Sequence, residues 1–253
     1  MRIIAIGNQK GGTGKSTSTA AIGHLLAAQG KRVLLVDLDP QSSLTQALGV
    51  DVQSNTIAEV VGGATAGTSK LGDVIVRIDE RLDLVPADIA LANSELGLIQ
   101  RIAKETVLKR ALDGVGGSYD ICLIDCAPSL STLTINALTA ANGVIIPVLP
   151  SALDIRGMSL FINTIDQVKQ ATNPGLEVIG VLVNQYAGNI NAHTQALEAI
   201  RAAGWQVLGI IPRTVKAQES AAFARSLPTY DPTGKATQAY NDTTNEVIRW
   251  CAK

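Results

Sequence analysis

The sequence predicts a doubly wound α/β fold, a mostly parallel sheet flanked by helices, on three observations. Seven apolar runs of strand length recur along the 253 residues, helical stretches lie between them, and most runs are hydrophobic throughout. A strand with one wet face alternates in polarity. A strand that is apolar at successive positions is buried on both faces, and such strands belong to parallel sheets covered by helices on each side.

The first run, Arg2–Gly7, opens the sheet, and the helix after it spans Ser16–Gln29, where Ile22, Leu25 and Leu26 share one face. Arg32–Asp37 is the second strand. Gln53–Asp79, rich in Gly, Thr and Ala with few large apolar side chains, receives no element, and Leu82–Val85 is the next strand. Helical spacing runs over Ile89–Leu112. Strands Ile121–Asp125, Gly143–Val148, Val178–Asn184 and Gln206–Ile211 then alternate with helices Ser131–Ala141, Asp154–Ala171 and Ile190–Ala203, and a helix over Lys235–Cys251 closes the order. The uncharged stretch Cys126–Leu153 carries Pro128, Asn136, Asn142, Pro147 and Pro150, so it reads as a buried strand between loops and helices, not a membrane span. With no Ser/Gly/Pro-rich linker, charge block or repeat to divide it, the chain reads as a single domain over residues 1–253.

Lys and Arg number 21 against 22 Asp and Glu, a net charge of −1, which excludes a basic nucleic-acid tail and an acidic disordered chain. Two Trp, four Tyr and two Phe are too few for a groove that stacks bases on aromatics. Cys122, Cys126 and Cys251 are odd in number, which fits a reducing compartment with the cytoplasm as the expected location; Cys122 and Cys126, with Cys251 far away, lack metal-ligand spacing and read as buried thiols. The first strand begins at once, with no signal peptide ahead of it. His24 and His193 have no partner pattern, and no Gly-x-Ser-x-Gly context for a hydrolase triad occurs.

Directly after the first strand stands Asn8-Gln9-Lys10-Gly11-Gly12-Thr13-Gly14-Lys15-Ser16-Thr17, and a helix follows. That is the context of a phosphate-binding loop: the glycines let backbone N–H groups form a nest, the helix points its positive end at the phosphates, and Lys15 reaches the β- and γ-oxygens. Ser16 is placed to ligate Mg²⁺. Gln9 stands where the strict pattern has glycine. Asp125 ends an apolar strand at the carboxyl edge of the sheet, where a carboxylate can hold a water of the Mg²⁺ shell. Asp37 and Asp39 end the second strand at the same edge; they share one side if the strand runs straight through both, and a turn beginning at Asp39 separates them.

The loop resembles the deviant Walker A motif of the ParA/MinD family of P-loop ATPases. Val36-Asp37-Leu38-Asp39-Pro40-Gln41 is similar to the family's second motif, and Leu123-Ile124-Asp125-Cys126-Ala127-Pro128-Ser129 to its Walker B and switch II region. Val183-Asn184 and Ile211-Pro212-Arg213 resemble the segments that hold adenine, and the resemblance, closest to ParA/Soj partition proteins, covers nearly the whole chain. It implies an ATPase, slow and Mg²⁺-dependent, in which Gly11, Gly12, Thr13, Gly14, Lys15, Ser16 and Thr17 cradle ATP and Asn184, Pro212 and Arg213 hold its base. Lys10, a second lysine that the loop does not need for its own phosphates, is implied to cross a dimer interface to the partner's nucleotide. Asp39 is implied to position the attacking water, with Asp37 structural or near the metal.

From residue 201 onward there are seven Lys and Arg and four acids, a local excess of three positive charges in a chain of net −1. Such a surface is often only a solvated face. The resemblance implies instead that the ATP-bound homodimer binds DNA without sequence preference there, through Lys216 and Arg225 first, then Arg213 and Lys235. It also implies a ParB-like activating partner and a nucleoid-associated location. Asp242 and Glu246 in the terminal stretch give it no basic amphipathic character of the kind that tethers MinD to membranes. Three rival functions fit the same loop: positioning of another cargo such as a cell-division site, chemoreceptor cluster or microcompartment; an ATP-dependent amide-forming synthase; and a non-hydrolysing binding module.

Overall fold

In a computed structural model the described residues are 1–52, 55–62 and 70–253. Eight strands, β1 (Arg2–Ile6), β2 (Val33–Leu38), β3 (Val76–Asp79), β4 (Leu82–Val85), β5 (Ile121–Cys126), β6 (Gly143–Val148), β7 (Glu177–Tyr186) and β8 (Val207–Pro212), form one sheet. Their order is β3-β4-β2-β5-β1-β6-β7-β8, and every pairing but β3 with β4 is parallel. Among the described residues there are eleven α-helices, α1 (Lys15–Ala28), α2 (Ser43–Ala47), α3 (Ile57–Val61), α4 (Ala90–Ile99), α5 (Val107–Asp113), α6 (Thr132–Ala140), α7 (Ala152–Ala171), α8 (Asn191–Ala202), α9 (Lys216–Ala222), α10 (Leu227–Tyr230) and α11 (Lys235–Cys251), and two short 3-10 turns, Leu71–Val74 and Lys104–Thr106. The doubly wound α/β reading is the observed one.

The unbroken apolar strands arise because both faces are covered. On β1, Ile3 and Ala5 join a core shared with α3–α8, whereas Ile4 and Ile6 point to the opposite core, beneath α1 and α11. Register then decides where chemistry can gather. Ile6, the last residue of β1, lies beside Asp125 on β5, and Asp125 lies beside Asp37 on β2. The chain leaving each strand at this edge therefore converges on one crevice, the place where open parallel sheets bind ligands.

Three differences from the sequence reading have local causes. The helix expected over Ile89–Leu112 is two, α4 and α5, because Ala103 adopts a left-handed φ of 53° and stops the helical ladder. The buried Asn136 side chain bridges the break, donating to Lys104 O at 2.8 Å and accepting from Leu108 N at 3.1 Å. Strand β3 was not expected; it is a four-residue antiparallel edge with alternating exposure, too short to stand out in sequence. It falls in Gln53–Asp79, of which residues 53, 54 and 63–69 lie outside the described residues. The same segment holds α3, started by a capping box in which Thr56 Oγ1 accepts from Ala58 N and Glu59 accepts from Thr56 N.

Candidate nucleotide-binding site

Residues Gly7 to Gly14 form the turn between β1 and α1. Its root is tied down by Asn8, whose side chain donates to Pro147 O at 2.7 Å and accepts from Lys10 N at 3.3 Å. Gly12 and Gly14 take φ of +75° and +85°, which L side chains avoid, and a Cβ on Gly14 would meet Asn184 Nδ2 at 2.7 Å. Gly11 and Gly12 face open space, and the buried Thr13 Oγ1 has no hydrogen-bond partner. An open cradle with an orphaned buried hydroxyl and a 14-residue helix starting from it fits a phosphate. Lys15 and Ser16 open that helix. Lys15 is buried and its ammonium arches back to donate to Lys10 O at 3.1 Å; burial lowers its pKa, while Asp125, Cys126 and Asp39 oppose that shift.

Facing the loop, Asp125 is fully buried, and burial, then the neighbouring Asp37, push its carboxyl well above the usual range; a hydrogen bond from Ser16 and the charge of Lys15 work against them. Ser16 hydroxyl and Asp125 carboxylate form an adjacent pair of hard oxygen donors, which suits Mg²⁺. Among the described residues no cluster of three His, Cys, Asp or Glu could hold a metal unaided. The two aspartates of the second strand have separate directions, because β2 ends at Leu38 and the chain turns. Asp37 is committed to the fold: Thr45 N and Oγ1 donate to its Oδ2 at 2.9 and 2.7 Å, and Asp39 N to its Oδ1 at 3.2 Å. Asp39, near the loop and 8% exposed, accepts from Gln41 N through Oδ1 alone among the described residues.

Lys10 is not a solvated loop lysine. Its ammonium lies 2.7 Å from Oδ2 of Asp154, a buried carboxylate in the first turn of α7, whose cap Ser151 donates to the same oxygen. The sequence reading missed Asp154; the Ser151-x-x-Asp154 spacing signals a helix start but not a partner 144 residues away.

Beside Gly14 and Thr17 a cavity of about 140 Å³ is lined by Asn184, Pro212, Arg213, Gln218 and Tyr240. It joins the loop at the carboxyl ends of β7 and β8, so the residues expected to hold a base do stand together. Arg213 also lines a second cavity with Lys10, Asp154 and His193, which places it with the nucleotide crevice. Lys216, Arg225 and Lys235 are exposed on α9, the turn after it and the start of α11. The charge of Lys216 is partly answered by Glu219 at 2.8 Å. Cys122 and Cys126 are buried thiols, as expected, and burial raises both pKa values. Among the described residues no helix is long and apolar enough to cross a membrane.

A family model described as an AAA domain matches residues 1–178. The sporulation initiation inhibitor protein Soj of Bacillus subtilis (strain 168) is 38% identical over 249 residues, 97% of this chain and 98% of that protein. The chromosome partitioning protein ParA of Caulobacter vibrioides (strain NA1000 / CB15N) is 36% identical over 255 residues, 98% and 94% of the two chains. A solved structure of cobyrinic acid a,c-diamide synthase from Mycobacterium smegmatis, with bound ADP and magnesium, superposes with a TM-score of 0.85 at 37% identity, covering 98% of this chain and 94% of that one. Loop, strand-end carboxylates and near full-length identity agree, and the chain belongs to the ParA/Soj-type group of the ParA/MinD family of P-loop ATPases.

Proposed function

We propose that the chain is a slow ATPase that dimerises on binding Mg-ATP, holds DNA without sequence preference as the dimer, and drives chromosome or plasmid partition with a ParB-like partner that accelerates hydrolysis. One observation carries this reading: two lysines, Lys10 and Lys15, stand on one phosphate loop, while Asp39 and Asp125 face it from neighbouring strand ends. Near full-length identity to Soj and ParA supports the choice of cargo. In this reading Lys15 and the loop amides from Gly11 to Thr17 bind the phosphates, and Asn184, Pro212 and Arg213 hold the adenine. Ser16 and, through water, Asp125 hold Mg²⁺, which when bound neutralises phosphate charge. Lys10 supplies charge to the partner's phosphates and Asp39 orients water. Lys216, Arg225 and Lys235 contact DNA, while Arg213, which lines the nucleotide crevice, is kept for the base and not for DNA. The whole chain, 1–253, works as one ATPase domain in the cytoplasm, on the nucleoid and off the membrane.

The test is turnover of Mg-ATP by the chain alone, with plasmid DNA, and with the product of a neighbouring ParB-like gene. Slow basal turnover raised by both together is expected; no turnover in any mixture overturns the ATPase reading. An ATP-bound chain that turns over but never retains DNA assigns it to another positioned cargo. A second reading, an amide-forming synthase, is favoured by the 37% identity to the chain described as cobyrinic acid a,c-diamide synthase. It requires that ATP consumption depend on an amide-nitrogen donor and a carboxylic acid substrate, and not on DNA.

A further inference from the structure

Tyr240 takes no part in the roles assigned above, yet its hydroxyl is buried beside the base cavity, brought there by α11. It lies 3.0 Å from Ser18 Oγ on α1 and donates to Asn184 Oδ1 at 3.4 Å. Asn184 Nδ2 donates to Thr13 O at 2.7 Å and to Ser18 Oγ at 3.2 Å. These contacts close a ring whose direction can be worked out. Thr13 O is a carbonyl and only accepts, so the nitrogen of the Asn184 amide must face it. Both Nδ2 hydrogens are then used, on Thr13 and Ser18. Asn184 Oδ1 only accepts, so the one Tyr240 hydrogen goes to it, and the contact between Ser18 and Tyr240 is then made by the Ser18 hydrogen. The only hydrogen-bonding position left on the Asn184 amide is the second lone pair of Oδ1, an acceptor.

We propose that Tyr240 is a specificity-determining positioning residue: by taking the Ser18 hydrogen it keeps the Asn184 amide oxygen available to the base cavity, so the site takes a 6-amino purine nucleotide and rejects 6-oxo purines. This rests on the nucleotide-binding reading above. Without the Tyr240 hydroxyl, the Ser18 hydrogen has no acceptor in the ring. It then turns onto Asn184 and favours the flipped amide, oxygen toward Ser18 and nitrogen toward the cavity, against the preference of Thr13 O. The flipped amide donates, and a 6-oxo base presents an acceptor to it. Ser18→Ala removes that competing donor and leaves Thr13 O and Tyr240 to hold the amide in its present sense.

The experiment is titration calorimetry of the full chain with the Mg²⁺ complexes of ATP, 2,6-diaminopurine riboside triphosphate, ITP and GTP. The wild-type chain should bind the two 6-amino nucleotides at least tenfold more tightly than ITP and GTP, as expected for one mispaired hydrogen-bonding group. Tyr240→Phe should lower the ATP-to-ITP ratio by about tenfold, Ser18→Ala should leave it high, and Ser18→Ala/Tyr240→Phe should restore it. Loss of packing alone does not predict that restoration. ITP bound as tightly as ATP by the wild type overturns the proposal even if no variant folds, as does an unchanged ratio in Tyr240→Phe or a double variant no more selective than Tyr240→Phe. Failure of the wild type to bind any of the four nucleotides overturns the nucleotide-binding reading itself.

Discussion

Replacing Asp154 with asparagine should tighten the ATP-driven dimer. In the chain as described, the Lys10 ammonium is held 2.7 Å from a carboxylate that is 1% exposed, so a lysine that serves a partner's phosphates must first leave its own α7. A hydrogen bond to a charged group contributes about 1.5–3 kcal/mol. Lys10 is 41% exposed and its charge is screened, which puts this contact near the lower end, about 1.5 kcal/mol. Two such contacts break per dimer, about 3 kcal/mol in all, which is about 100-fold in the dimer dissociation constant. Asparagine keeps an oxygen for Ser151 and so preserves the start of α7, while removing the charge that holds Lys10. Sedimentation with a non-hydrolysable ATP analogue across a range of protein concentrations measures the constant directly. Lys10→Ala should be monomeric under the same conditions. An Asp154→Asn dimer no tighter than wild type, beside a melting temperature showing an intact fold, refutes the view that this ion pair opposes dimerisation.

The remaining predictions concern the phosphates, the hydrolysis step, the DNA surface and the buried acids. Lys15→Gln should weaken ATP binding by at least tenfold in calorimetry, since a charge-assisted contact in a buried site is removed. Asp39→Ala should still dimerise with ATP but release phosphate about 100-fold more slowly, the scale of losing a group that positions a proton-transfer partner; normal turnover contradicts its role. Arg225→Glu should weaken retention of any DNA sequence and flatten the salt dependence by about one unit or more of slope, and more so than Lys216→Glu, because Glu219 already offsets Lys216. Burial raises the Asp37 carboxyl to about 6, whereas an unfolded carboxyl titrates near 4. Between these values the folded chain keeps a proton that the unfolded chain has lost, so stability without Mg²⁺ should rise as pH falls through the window, and Asp37→Asn should reduce that rise. Urea midpoints at pH 7 and 5 test the sign.

Whatever depends on one strand and the residues next to it was legible in the sequence. Ile3 and Ile4, like Leu34 and Leu35, are buried on opposite faces of one sheet, and an apolar run records that directly; the phosphate loop is readable because its glycines, Lys15 and Ser16 are contiguous. Short elements were lost. Helices of four to seven residues such as α2, α9 and α10 complete too few turns to show a period, and a left-handed alanine at 103 leaves no trace in composition. Asp154 and Tyr240 were unreadable for another reason. Each acts on residues 144 and 222 positions away, and only the superposition of α7 and α11 on the loop turns an ordinary helix-start acid and an ordinary core tyrosine into neighbours of the site.

Charge balance links these residues. Lys15 lies near Asp125 and Asp39, and Asp37 lies next to Asp125; burial first, and repulsion from neighbouring acids after it, raise the carboxyls of Asp37 and Asp125, so the crevice resists carrying all of its acids ionised. A nucleoside triphosphate adds further negative charge at the same edge. Backbone N–H groups and one lysine are a weak answer to it, because Lys15 is itself partly desolvated. Two sources of positive charge can correct the imbalance: a divalent cation at Ser16 and Asp125, and a lysine brought from outside the loop's own cradle. In the proposed dimer the partner's Lys10 is such a lysine, while within one chain Lys10 is held by Asp154. Under the proposed function the ion pair would leave the monomer's crevice short of cations, and a second copy of the chain would complete it.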